Sequence, residues 1–249
     1  MMARWIGATV AAALLAAFAI GGGGRDGAAA VETKTAIFAG GCFWCVEDAF
    51  DAVPGVTETV SGYAGGTKPN PNYGDHEGYQ EAVKVTYDPA KVTYAKLLDQ
   101  YWHNIDPFDA NGQFCDQGNA YRSVIFVGDD EEKRLAESTE QEIADRFKQK
   151  VATEIKPVTT FTAAEDYHQN YHNTNPVSYK FYKWNCGRAQ RLEQIWGRSP
   201  LERSRRRAGL RHRRPAPERK AWSSLIGAPS CIRGRNRTVA EWTLGYPRT

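Results

Sequence analysis

Cys42 and Cys45 stand three apart in the stretch Phe38-Ala39-Gly40-Gly41-Cys42-Phe43-Trp44-Cys45-Val46-Glu47. Three chemistries fit that spacing: a dithiol redox pair, half of a metal site, or one nucleophile with a neighbour. The thiolate is the reactive form of cysteine, and the oriented amides of a helix N-terminus favour it. Gly40-Gly41 allows a sharp turn, and Phe43, Val46, Phe50 and Val53 recur near helical spacing, so Cys42 is expected to open a helix. That placement makes Cys42 the candidate nucleophile. His168 and His172 stand at i, i+4 and could complete a zinc set with the cysteine pair, because structural zinc takes four ligands. Their stretch, H-Q-N-Y-H, lacks the glutamate of the metalloprotease motif. The sequence favours a framework role for both histidines.

The elements that must position these residues follow from periodicity and breakers. Strands are expected over 35–39, 56–63, 82–87, 123–127 and 155–161. Helices are expected over 42–52, 93–104, 129–150 with Asp129 as N-cap, and 163–171. Gly, Pro and Asn mark 64–78 as a long loop, and 106–120 reads as a second. Strands and helices alternate irregularly. The fold class is therefore α+β: a single domain with a mixed central β-sheet flanked by helices, an elaboration of the ferredoxin-like plait.

The chain has 249 residues, 41% hydrophobic and 24% charged, which suits a globular protein with a real core. Its net charge of +3 is unevenly spread. Residues 198–249 carry 14 Lys and Arg against 3 Asp and Glu, so the rest of the chain is net acidic. This excludes a nucleic-acid reading for the body, and the basic segment is expected to be disordered. Residues 1–30 show a positive charge, an apolar run and a small-residue Ala28-Ala29-Ala30 site, the order of a secretory signal peptide. The run is short for a membrane span, so contact with a membrane is expected only if it stays uncleaved. The body, 33–197, is expected to be exported to the periplasm, where disulfides persist and five cysteines need a redox account.

The stretch G-G-C-F-W-C-V-E resembles the active-site signature of the A-type methionine sulfoxide reductases, the peptide-methionine (S)-S-oxide reductases. Further elements of that family follow in order: P-G-V at 54–56, S-G-Y-A-G-G at 61–66, P-N-P-N-Y at 69–73 and G-Y-Q-E-A-V-K-V-T-Y-D-P at 78–89. D-P-F-D-A-N-G-Q-F-C-D-Q-G-N-A-Y-R-S at 106–123 and E-D-Y-H-Q-N-Y at 165–171 complete the set. The resemblance spans about 34–197.

It implies Cys42 as the nucleophile on the sulfoxide sulfur and Glu81 as the acid that protonates the sulfoxide oxygen. It implies Tyr73 and Tyr121 as phenols bonded to that oxygen, Asp116 as an organiser of the site, and Phe43 and Trp44 as the wall for the S-methyl group. The product on Cys42 would be a sulfenic acid, which condenses with a second thiol. Cys186, placed after the last expected helix, is the preferred resolving cysteine; Cys45 is the runner-up and Cys115 the third choice. Many relatives carry Gly where Cys45 stands. No metal or bound cofactor is expected. The co-substrate would be a thioredoxin-like reductant, the substrate methionine sulfoxide free or in oxidised proteins, and the working form a monomer. Two other readings compete: a thioredoxin-like thiol-disulfide oxidoreductase, and a structural zinc-binding module.

Overall fold

The computed structural model describes residues 32–197. The expected signal segment and basic tail lie outside these residues. Six strands form one mixed sheet. They are β1 (Lys34–Ala39), β2 (Val56–Ala64), β3 (Gln80–Tyr87), β6 (Val124–Val127), β7 (Glu154–Pro157) and β8 (Phe161–Ala163), in the spatial order β7-β6-β1-β3-β2-β8. Only the β6–β7 pair is parallel. Helix α1 (Phe43–Asp51) links β1 to β2, and α2 (Tyr94–Trp102) leads from β3 towards β6. Helix α3 (Asp130–Phe147) crosses from β6 to β7, the long link that a parallel pair requires.

The sheet curls. Its two edge strands are joined by Val158, Thr159 and Thr160 alone, a link that spans at most about 14 Å. Six flat strands would set the edges about 24 Å apart. One face is therefore concave; a smaller cluster on the sheet gathers Ile37, Ala39, Ala64, Ala82, Val124 and Phe126, with Phe161 packed against it. The other carries the main core, where Phe38 stacks on Phe50, Tyr101 and Tyr94 with centroids 4.9, 5.2 and 6.1 Å away. Helix α1 buries almost every side, as expected of a helix covered on both faces.

The mixed sheet and flanking helices agree with the α+β expectation, and several elements correct its details. The segment expected as one strand over 155–161 divides into β7 and β8 on opposite edges: β7 pairs parallel with β6 as far as the Val158 N–H, which donates to the Val127 carbonyl at 2.9 Å, and the chain then leaves that edge for β2, where β8 pairs antiparallel. The 106–120 loop contains a short hairpin, β4 (Gly112–Gln113) and β5 (Asp116–Gln117), with Phe114 left-handed at its tip (φ 59°). The helix expected over 163–171 is instead the end of β8, a 3-10 turn at Asp166–His168, and α4 (Tyr171–Thr174). Left-handed Asn170 (φ 51°) breaks the path between them, so His168 and His172 do not share a helix. Two further helices follow, α5 (Pro176–Asn185) and α6 (Arg188–Trp196). Cys186 lies between them rather than beyond the last helix. Helix α3 is N-capped by Asp129, whose carboxylate accepts from the Glu132 N–H at 2.8 Å.

Candidate active site

The site begins where β1 hands over to α1. Gly41 is left-handed (φ 84°), and a Cβ there would sit 2.6 Å from the Gln113 Cβ. The β4–β5 hairpin thus lies directly on the turn. Cys42 is the N-cap of α1 and fully buried. Its side chain does not cap the helix. That place is taken by Glu81 of β3, whose Oε2 accepts from the Phe43 N–H at 3.0 Å. Glu81 is also fully buried. Strand and helix together bring a thiol and a carboxyl to the same helix end, with the amides there favouring negative charge.

An aromatic cage stands beside this pair. Trp44 stacks on Tyr171 at 3.8 Å, and its Nε1–H donates to His168 Nδ1 at 3.2 Å. The His168 ring contacts Phe43 (5.0 Å) and Tyr73 (4.4 Å). Burial holds the His168 pKa down, to about 4. The ring is therefore neutral at pH 7, and because Nδ1 accepts, the proton sits on Nε2. Glu165 ties the cage to the sheet: its carboxylate accepts from the Tyr63 hydroxyl at 3.0 Å and the Tyr73 N–H at 2.9 Å. Burial pushes the Glu165 carboxyl up, but these donors outweigh it and leave it below the usual range.

The third part lies on the C-terminal side. Asp116, on the β4–β5 hairpin, is buried and accepts a hydrogen bond from the Tyr182 hydroxyl. Burial raises its carboxyl to about 7, with the nearby Cys45 sulfur adding to the rise and Tyr182 and Arg188 opposing it. The Cys45 thiol moves the other way, to about 6. Its hydrogen bond with Cys42 is the largest cause; burial opposes it, and the charges of Arg188 and Lys183 assist. Since the two sulfurs share that bond, the lowered value belongs to the pair. Arg188 is buried, donating to the Asn104 carbonyl at 2.6 Å and the Gly40 carbonyl at 3.5 Å.

Cys115 and Cys186 form a disulfide across 71 residues. Cys186, preferred from sequence as the partner of Cys42, is bonded instead to the third-choice cysteine. Cys42 and Cys45 are both reduced.

The structure gathers Cys42, Phe43, Trp44, Tyr73 and Glu81 at the helix start, with Asp116 reaching the same place through Cys45. Tyr121 ends a 3-10 turn (Asn119–Tyr121) packed on β3, near Gln80, whose side chain donates to the Asn119 carbonyl at 3.5 Å. The zinc arrangement is not assembled among the described residues. His168 is engaged by Trp44, while His172 Nε2 lies 3.3 Å from Asp51 Oδ2. Sequence reasoning missed four participants: Tyr63, Glu165, Tyr182 and Arg188. Tyr63 and Glu165 stand inside the quoted motifs, so a signal existed for them. Tyr182 and Arg188 lie on helices that were not expected.

The family model for peptide methionine sulfoxide reductase matches residues 34–200. The chain is 46% identical over 187 residues to peptide methionine sulfoxide reductase MsrA 2 of Caulobacter vibrioides, covering 73% of this chain and 95% of that protein. It is 44% identical to MsrA of Bacillus subtilis, covering 67% and 97%. Among solved structures it is similar to methionine sulfoxide reductase A of Corynebacterium diphtheriae, with TM-score 0.53 and 32% identity over 58% of this chain and 76% of that one. It is also similar to reduced Mxr1 of Saccharomyces cerevisiae, with TM-score 0.53 and 31% identity over 58% and 87%. With a matched model spanning most of its length and relatives covered almost end to end, the chain belongs to the peptide methionine sulfoxide reductase family.

Proposed function

We propose that this chain reduces the S-epimer of methionine sulfoxide, free or in proteins, with Cys42 as nucleophile. The observation that carries the reading is the Glu81 carboxyl bonded to the Phe43 N–H at 3.0 Å, at the helix end that Cys42 opens. Cys42 thiolate attacks the sulfoxide sulfur. Glu81, when protonated, gives its proton to the oxygen, and the hydroxyls of Tyr73 and Tyr121 steady the developing charge. Oxygen passes to Cys42 as a sulfenic acid and methionine leaves. A second thiol then condenses with the sulfenic acid, forming a disulfide and releasing water. Phe43, Trp44 and the neutral His168 ring supply an apolar wall suited to the S-methyl group. Asp116, tied to Tyr182, organises the side of the site nearest Cys45. A thioredoxin-like donor reopens the disulfide by exchange; no metal or bound cofactor enters the scheme.

Further parts of the reading rest on sequence and topology. The order β1-α1-β2-β3-α2-β6, with the strands arranged β6-β1-β3-β2, supports an elaborated ferredoxin-like plait. The N-terminal composition supports a signal peptide over 1–30, export to the periplasm and a catalytic domain over 33–197, followed by a basic tail. The working form is a monomer, and nucleic acid is not a partner.

The test is turnover of single-epimer methionine sulfoxide with dithiothreitol. Activity on the S-epimer that vanishes in Cys42→Ser is expected. Equal turnover in Cys42→Ser sinks the reading.

A further inference from the structure

Among the described residues, one group of side chains has the make-up of a metal site: Cys115, Asp116 and Cys186, whose candidate ligand atoms all lie within 4.8 Å of one another. It shares no member with the cysteine and histidine set considered from the sequence. Two limbs of the chain bring it together. The β4–β5 hairpin carries Cys115 and Asp116, and the junction of α5 and α6 carries Cys186. Both limbs are fastened independently of the disulfide. The Asp106 backbone exchanges two 2.8 Å hydrogen bonds with the Gln113 side chain, and its carboxylate accepts from the Arg191 Nε–H at 2.6 Å. Arg188 donates to the Asn104 carbonyl at 2.6 Å and stands 4.4 Å over the Phe114 ring. Asp116 accepts from the Tyr182 hydroxyl through Oδ2, while its Oδ1 lies 3.6 Å from the Cys115 sulfur. The carboxylate is thus oriented from behind by a hydrogen bond, as metal-binding carboxylates are. Opening the disulfide leaves two thiols and an aimed carboxyl in one place. Asp116 is buried while Cys115 and Cys186 are partly exposed, so an ion can enter from solvent on the sulfur side.

We propose that Cys115, Asp116 and Cys186 form a redox-gated site for a thiophilic divalent cation, with zinc the ion that fits, available only while the Cys115–Cys186 bond is open. Two thiolates and a carboxylate suit zinc: soft sulfur selects against calcium and magnesium, and zinc takes four ligands. Zinc–sulfur bonds of about 2.3 Å set two thiolates about 3.8 Å apart, inside the spread of this group. Water supplies the fourth position from the exposed side. The three ligands exceed the charge of the ion by one negative charge, and Arg188, which acts on Asp116, offsets it. A dithiol donor opens Cys115–Cys186 and itself becomes a disulfide; zinc then displaces the two thiol protons into solvent. An external disulfide reverses this: it takes two electrons from the pair, the two sulfurs bond to each other, and the ion leaves. Zinc and the disulfide exclude each other, so bound zinc holds the pair reduced by mass action. The site takes no part in the chemistry on the sulfoxide.

The experiment uses the full chain, reduced with a phosphine, which leaves no competing thiol, and then kept free of oxygen. Co²⁺ is the probe, titrated in and followed by absorbance, and Zn²⁺ is added last. One Co²⁺ per chain is expected, with sulfur-to-cobalt charge-transfer bands and the intense visible bands of a tetrahedral site, and Zn²⁺ should bleach them. The same chain with Cys115–Cys186 bonded should show no bands until the phosphine is added. The bands should persist in Cys42→Ser and be lost in Cys186→Ser. Asp116→Asn should weaken Co²⁺ binding by at least the 10–100-fold that loss of an outer-shell partner costs. A reduced chain without the bands overturns the proposal, as do bands in the disulfide form. So do bands that survive in Cys186→Ser or vanish in Cys42→Ser, or an unchanged affinity in Asp116→Asn. The wild-type comparison between the two redox states stands even if a variant fails to fold. Because the readout is metal binding, a failure of sulfoxide turnover is seen separately.

Discussion

Glu81 gives one oxygen to the Phe43 N–H, and that bond fixes where its carboxyl can reach. Gln at this position keeps the acceptor and the shape but cannot act as a proton donor of comparable acidity. Glu81→Gln is expected to lower kcat about 10²-fold or more, the usual worth of a general acid, with a smaller change in KM. Steady-state kinetics on the S-epimer decide it; a kcat within a few-fold of wild type argues against the assignment. The thiol pair carries its own pH signature. With Cys45 lowered to about 6, thiolate should appear as pH rises through that value and be lost below it. Lys183 is one of the cations favouring the thiolate. Thiolate ultraviolet absorbance should therefore titrate at higher pH in Lys183→Met than in wild type. A midpoint that stays in place would show that Cys42 and Arg188 hold the charge without help from Lys183.

Helix α1 has a buried acid that the reaction scheme does not use. The Glu47 side chain is fully buried, with His172 Nδ1 3.8 Å from its Oε2. Burial raises its pKa to about 7, and Asp51 adds to the rise. A carboxyl whose folded pKa lies above its unfolded value stabilises the fold relative to the charged state at low pH. That advantage is lost as pH rises from about 4.5 to about 7. Glu47→Gln removes the ionisation, so its stability relative to wild type should improve across that window, by about 1–3 kcal/mol. Urea midpoints of both proteins at several pH values measure this, and a flat difference contradicts it. The same scale shows what could be read from sequence. Helix α1 and strands β1, β2 and β3 were legible because local periodicity agrees with their burial. Helix α5 was missed although Pro176 at its first turn is a start signal; its surface is mixed because one side meets Asp48 and Asp116 rather than an apolar core. The division of β7 from β8 depends on which sheet edge each half joins, a long-range fact with no local signal. Cys42 and Glu81 came from ordered motifs. The Cys115–Cys186 pairing did not, since connectivity does not follow from cysteine spacing.

Across the whole molecule, the site depends on the sheet staying curled. Strand β8 closes the β2 edge, with Gly62 opposite Ala163. Directly after β8 come Glu165, which holds Tyr63 and Tyr73, and His168, which holds Trp44. Gln169 adds a clamp, accepting from the Ser61 N–H and donating to the Ser61 carbonyl, each at 2.9 Å. The cage is thus hung on one edge pairing, while Cys42 and Glu81 belong to the centre of the sheet. Gly62 makes that pairing close: a Cβ there would collide with the Thr162 carbonyl and come within 2.5 Å of the Phe161 ring. Gly62→Ala must push β8 outward, because the obstacle includes backbone that cannot rotate away. Overpacking of this kind costs about 1–3 kcal/mol. The displaced strand carries Glu165 and His168 with it, whereas the Glu81–Phe43 bond has no reason to move. KM for the sulfoxide should therefore rise, with kcat falling as far as Tyr73, held by Glu165, is displaced, and the Ala164 amide, bonded to the Ser61 carbonyl at 2.9 Å, should exchange its hydrogen faster. Equal losses in kcat and kcat/KM would mean instead that the edge and the nucleophile's turn move as one body, and that the cage is not separately hung.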